Sequence, residues 1–95
     1  MAEFLVELYV SRTDADAVER GAARARLAAE ALTREGTPVR YLRSIFVPED
    51  ETCFYLYEAV SSDAVLESGR RAALTFERIA EAVESARSEE VDAWT

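Results

Sequence analysis

The residues of this chain best suited to chemistry are tyrosines, one glutamate and one arginine. Tyr41, Tyr55 and Tyr57 fall within a single stretch, VRYLRSIFVPEDETCFYLYEA, from Val39 to Ala59. The fourth tyrosine, Tyr9, closes the run EFLVELYV, which also carries Glu7. Phenol rings offer large apolar area with a polar tip, so several of them suit the walls of a pocket for a small, partly apolar molecule. Glu7 and Arg43 would orient such a ligand by opposite charges. The same tyrosines also suit a protein interface, where tyrosine is enriched without any ligand. If the chain is an enzyme, Glu7 or Tyr9 is the available acid/base for cofactor-independent chemistry.

What is missing narrows function further. There is no histidine, which removes the usual general base near neutral pH, the commonest metal ligand and every Ser-His or Cys-His nucleophile. All eleven cationic residues are arginine, so lysine Schiff-base chemistry and P-loop phosphate binding are excluded. One cysteine, Cys53, permits no intrachain disulfide and reads as a small core or interface residue. Glu58 is a second strand carboxylate, expected to be solvated or paired with arginine. Arg70 and Arg71 read as surface residues. Glu49, Asp50 and Glu51 form an acidic turn without the spaced ligands of a calcium loop. We expect no metal site and no cofactor.

The net charge of −8 repels phosphate backbones and anionic lipid surfaces. Nucleic acid and membrane are therefore not expected partners. No apolar run approaches the ~20 residues of a membrane-spanning helix, and no basic leader precedes the first apolar residues. The expected compartment is the cytoplasm.

The elements that must position these residues follow from periodicity. Phe4, Val6, Leu8 and Val10 alternate along a first strand, Glu3–Val10. A helix from Asp14 to about Glu35 carries Val18, Ala22, Ala25, Ala29 and Leu32 at helical spacing. Thr13 and Asp16 resemble a capping box, Gly36 and Pro38 supply the stop, and Glu30 and Arg34 stand four residues apart for an ion pair. Two strands flank the Pro48–Glu51 turn as a hairpin. A second helix runs from about Ser62 to Ala73 with Ser61 as cap and Val65, Leu66, Ala72 and Ala73 as its buried stripe. Gly69 inside it marks either close approach by a ligand or a partner or, the reading preferred, a helix of modest stability. Phe76–Glu84 has helical propensity but completes the sheet best as a fourth strand, with Ile79 and Val83 on one face and Arg78, Ala80 and Ala82 on the other. The order βαββαβ is a ferredoxin-like α+β fold, a four-stranded antiparallel sheet with two helices on one face. Residues 1–84 make one domain. Residues 85–95 read as an acidic tail, with Trp94 as its distinctive residue.

Strand parity then decides which side chains meet. The helix-covered face must be apolar, so Phe4, Val6 and Leu8 are assigned to it together with Leu42, Phe46, Phe54 and Leu56. The open face is left with Leu5, Glu7, Tyr9, Tyr41, Arg43, Ile45, Cys53, Tyr55 and Tyr57. This parity requires an odd loop or a bulge in the hairpin, because a four-residue Pro48–Glu51 loop pairs Arg43 with Leu56. So aromatic a face must be covered. A second copy closing over it gives a homodimeric α/β barrel with a tyrosine-lined cavity between the sheets.

The hairpin and the following SSDAVLESGRRAAL resemble a bacterial family of small ferredoxin-like domains of unknown function, some described as nickel-binding. The likeness extends to about Glu84, and its most specific part is the hairpin leading through Glu58 and Ala59 into the second helix. Membership implies a ferredoxin-like homodimer. The family's histidine ligands align near Tyr9, Gly69 and Ala73, none of which binds nickel as histidine does. Three functions are therefore weighed: a dimeric domain binding a small molecule between its sheets, a cofactor-independent enzyme using Glu7 or a tyrosine, and nickel binding through carboxylates.

Overall fold

A computed structural model describes residues 1–83 of the chain. The expectations for the tail and Trp94 lie outside the described residues. Strand β1 (Ala2–Tyr9) buries Phe4, Val6 and Leu8 by strict alternation. Helix α1 (Asp16–Arg34) begins two residues later than the Thr13–Asp16 pattern suggested. Its entry is a backbone turn instead: the Asp14 N–H donates to the Ser11 carbonyl at 2.9 Å, and Ala15 caps without a side-chain bond. Asp16 and Glu19 in the first turn favour the positive end of the helix dipole. The exit matches expectation. Gly36 adopts φ 107°, and the Thr37 N–H returns to the Leu32 carbonyl at 3.1 Å. The Thr33 hydroxyl then donates to the Val39 carbonyl at 2.7 Å and accepts from the Val39 N–H at 3.0 Å. That double bond ties the end of α1 to the start of β2 (Val39–Val47).

A 3-10 turn, Pro48–Asp50, leads to β3 (Thr52–Ala59). Glu51 between them sits in the left-handed region at φ 50°, rare for a side chain with a Cβ. Its carboxylate accepts the Arg12 N–H at 3.0 Å and the Tyr9 hydroxyl at 3.3 Å, which holds the strained corner in place. Helix α2 (Ser62–Arg71) is capped as expected, the Ser61 hydroxyl accepting from the Ala64 N–H at 3.2 Å. The ambiguous stretch is a strand, β4 (Phe76–Ala82). Among the described residues, no helix is long and apolar enough to cross a membrane.

The sheet is antiparallel throughout, in the order β2-β3-β1-β4, with the helices on one face. This is the ferredoxin-like α+β arrangement in βαββαβ order. Its register overturns the parity assigned to the hairpin. Phe4, Val6 and Leu8 stand opposite Tyr57, Tyr55 and Cys53, so these three residues of β3 share the helix-covered face. Phe54 and Leu56 stand opposite Glu7 and Leu5 on the open face. The Pro48–Glu51 loop keeps its even length, and Arg43 pairs with Leu56. A bulge does occur, but at Leu42, between Tyr41 and Arg43. It turns Tyr41 to the helix side, opposite Tyr57, and leaves Arg43 and Ile45 on the open side.

The core explains the reversal. Helix α1 presents Val18, Gly21, Ala22, Ala25, Ala28, Ala29 and Leu32, mostly small residues. Large side chains from the sheet must fill what they leave. Tyr55 and Tyr57 are the largest fully buried side chains. The Tyr55 hydroxyl donates to the Val18 carbonyl at 2.8 Å, and it passes where a Cβ on Gly21 would stand. Helix α2 buries Ala64, Val65, Ser68 and Gly69; Leu66 is exposed, and Ala73 lies beyond the helix at φ 58°. What approaches Gly69 is a side chain of the chain's own sheet, neither of the two alternatives weighed: a Cβ there would sit 2.9 Å from the Phe76 ring, which packs from β4 against α2.

Candidate functional site

The open face is a grid of cross-strand rows. Arg40, Glu58, Glu3 and Ala82 form one end row across β2, β3, β1 and β4. Arg43, Leu56, Leu5 and Ala80 form the next, then Ile45, Phe54, Glu7 and Arg78. Val47, Thr52 and Tyr9 complete the far end. The middle of the two central rows is thus apolar, with Leu56 and Leu5 beside Phe54 and Ile45, and Arg43 and the Glu7–Arg78 pair flank it within those rows. Arg40 reaches Glu58 at 3.3 Å, and Arg78 Nε donates to the Glu7 carboxylate at 2.8 Å. Arg43, beside Leu56 and Ile45, has no ion pair or side-chain hydrogen bond among the described residues. A shallow cavity of about 270 Å³ lies here, lined by Glu3, Leu5, Arg43, Ile45, Leu56, Ala82 and Val83.

Of the six residues expected to line one site, the fold therefore keeps Glu7, Tyr9 and Arg43 on the open face and removes Tyr41, Tyr55 and Tyr57. Glu7 and Tyr9 are both engaged, Glu7 with Arg78 and Tyr9 with Glu51 at 3.3 Å. On β3, Phe54 and Leu56 stand where Tyr55 and Tyr57 were expected, beside Leu5 of β1 and Arg78 of β4. The signal that could have found them was the even Pro48–Glu51 loop, whose pairing puts Leu56 beside Arg43.

The tyrosines form a cluster inside the protein. Tyr41 meets Tyr55 edge-on at a centroid distance of 5.7 Å and 89°, and meets Tyr57 at 5.9 Å and 76°. Burial pushes the Tyr55 and Tyr57 hydroxyls well above the usual phenol range. Burial likewise pushes the Cys53 thiol up to about 11, which makes it a poor nucleophile. The Tyr57 and Ser68 hydroxyls are buried near each other, yet neither completes a hydrogen bond. Such groups do no acid/base work near neutral pH.

Tyr41 also forms one end of a cleft between α1 and the outer edge of β2. Arg26, Ala29, Glu30, Thr33, Arg34, Val39, Arg40 and Tyr41 enclose about 430 Å³. The Arg26 guanidinium lies 5.6 Å from the centre of the Tyr41 ring, within cation–π range. The Glu30–Arg34 ion pair expected from spacing is not formed.

The other charged candidates are structural. Arg71 bridges Glu35 at 2.9 Å and Glu67 at 3.0 Å, joining the two helices, and Arg70 reaches Glu67 at 3.4 Å. The Arg71 bond holds the Glu35 carboxyl below its usual range, and the Arg12 N–H does the same for Glu51. Among the described residues, no three Asp, Glu or Cys side chains converge to hold a metal ion. Tyr9, Gly69 and Ala73 lie at the end of β1, under Phe76 and after α2.

No family model and no curated protein matches the chain. It is similar in structure to SCO4226 from Streptomyces coelicolor A3(2), known from a crystal structure, with a TM-score of 0.67 and 23% identity. The match covers 90% of this chain and 100% of that one. At that identity the likeness supports the fold alone.

Proposed function

We propose that the chain is the protomer of a homodimer that closes through its open sheet face into an α/β barrel. The enclosed space binds a small, partly apolar molecule. One observation carries this reading: a sheet face that no other described residue covers, whose centre is Leu5, Ile45, Phe54 and Leu56, with Arg43 among them making no ion pair to any described residue. A patch of this kind on a four-stranded sheet is stabilised by a partner. A second copy supplies the same apolar rows and doubles the shallow cavity beneath it. The walls are then aliphatic with one phenylalanine, and Arg43 provides the orienting charge. The tyrosines support this wall from behind.

Light scattering on the purified protein tests the assembly, together with a thermal-shift screen of aromatic and polyketide-like compounds. Leu5→Arg places a charge in the central row. Dimeric wild type, monomeric L5R with native circular dichroism, and a ligand shift lost with Arg43→Leu are the expected results. A wild-type monomer at every concentration, or a dimer unaffected by L5R, overturns the proposal.

A further inference from the structure

We propose that the cleft between α1 and the outer edge of β2 is a second binding site, taking a small organic anion with a flat apolar body. The cleft reverses the charge of the molecule around it. The chain carries −8 overall, yet this cleft gathers Arg26, Arg34 and Arg40 against a single carboxylate, Glu30. Arg40 is shared with Glu58 on the other side of the strand. Arg26 and Arg34 make no ion pair among the described residues, although Glu30 lies one helical turn from each. Two guanidiniums left without carboxylates, at the mouth of a cleft of about 430 Å³, suit a carboxylate or phosphate group. The volume lies within the usual range of small-ligand sites, roughly 300–1,000 Å³.

The floor is apolar and fixed. Ala29 and Val39 supply it, and the Tyr41 ring stands at its end. Tyr41 is braced edge-on by two buried tyrosines, at 5.7 and 5.9 Å, and Arg26 is already stacked 5.6 Å over its face. Thr33 spends its hydroxyl on both backbone groups of Val39, so the wall on that side is rigid rather than ligand-seeking. The site is built by the Leu42 bulge. Without the extra residue, Tyr41 would project from the opposite face with Arg43. Extended polyanions are poor occupants, because the surrounding negative charge repels them. A compact anion with an apolar body satisfies both the arginines and the floor.

The test is an amide NMR titration of the intact protein with naphthalene carboxylate, its neutral carboxamide and inorganic phosphate. Saturable shifts at Ala29, Val39 and Tyr41 are expected with the carboxylate. Carboxamide should bind about tenfold more weakly, as should Arg34→Gln with the carboxylate, each amounting to the loss of one charge-assisted contact. Phosphate alone should also bind more weakly, since it cannot use the floor. Equal affinity for carboxylate and carboxamide, or an unchanged affinity in R34Q, overturns the proposal. So does phosphate binding as tightly as the aromatic acid. Shifts confined to Leu5, Ile45 and Leu56 would overturn it too, while leaving the inter-sheet cavity standing.

Discussion

The two faces of the sheet are made from alternate residues of the same strands, and they meet different demands. On β3, Cys53, Tyr55, Tyr57 and Ala59 face the helices and are buried, while Thr52, Phe54, Leu56 and Glu58 face away. The covered face takes the more polar set of large side chains. Polarity is therefore a poor guide to which side is core. Volume is the better one: a helix lined by alanine and glycine leaves space that only large side chains from the sheet can fill. Tyrosine is admissible there because the gap at Gly21 leads the Tyr55 hydroxyl to a backbone carbonyl. Among the described residues the open face has no such complement for its leucines and phenylalanine.

Neighbouring aromatic residues break the comparison most directly. Tyr55→Ala empties a fully buried site and should lower unfolding free energy by about 3–5 kcal/mol in urea titrations. Phe54→Ala, one residue away on the other face, should cost the protomer far less and, in the proposed homodimer, act on dissociation instead. Equal losses of protomer stability would show that the faces are not distinct. Alkaline stability divides the faces in the same way. The groups pushed upward by burial, Cys53, Tyr55 and Tyr57, all lie on the helix-covered side of β3. Each stays neutral longer in the folded protein than in the unfolded chain. Their contribution is complete below their unfolded pKa values and is lost as pH rises, beginning near 9.0 for Cys53, whose folded value is about 11. Melting temperature should fall above that pH, and native Cys53 should resist thiol reagents until the protein unfolds. Rapid labelling of Cys53 in the folded state at pH 8 would contradict the assignment of β3.

Much of the fold was legible in the sequence because periodicity is a strong local signal. The alternation of Phe4, Val6 and Leu8, the stop at Gly36 and the Ser61 cap each rest on neighbours within a few residues. The site was less legible because it depends on register, which links distant residues. The assignment of Phe54 and Leu56 to the core followed their hydrophobicity, and it needed a bulge to satisfy it. The even Pro48–Glu51 loop pointed the other way, and the structure follows the loop. The bulge at Leu42 had no local marker: neither glycine nor proline stands there. It moved Tyr41, with Val39 and Arg40 before it, so the expected cluster of tyrosines survives as a cluster, but inside the protein and beside a cleft that sequence reasoning had not considered.

The fit of Tyr55 beneath α1 sharpens the comparison at a single methyl group. Gly21→Ala adds a Cβ that falls on the Tyr55 hydroxyl. The hydroxyl is anchored to Val18, and the helix backbone gives little, so overpacking of about 1–3 kcal/mol is expected. Adding Tyr55→Phe removes the colliding atom. The double variant should therefore be more stable than G21A alone, a coupling that denaturation of all four members of the cycle reads directly. Additive losses would mean that Gly21 is chosen for reasons unrelated to Tyr55.

The smallest effect separates two tyrosines that look alike in the sequence. Tyr55 donates to the Val18 carbonyl at 2.8 Å, while the equally buried Tyr57 hydroxyl completes no bond. Removing a satisfied hydroxyl costs about 0.5–1.5 kcal/mol, whereas removing an orphaned one relieves a desolvation penalty. Tyr55→Phe should thus destabilise, and Tyr57→Phe should be neutral or slightly stabilising. The Ser68 hydroxyl beside Tyr57 makes the second result informative. If Tyr57→Phe destabilises as much as Tyr55→Phe, the two hydroxyls share a bond, directly or through a buried water, and the interior beneath α2 holds a polar link. If it does not, the phenol of Tyr57 is retained for its volume alone, and the covered face is set by filling the space an alanine-lined helix leaves.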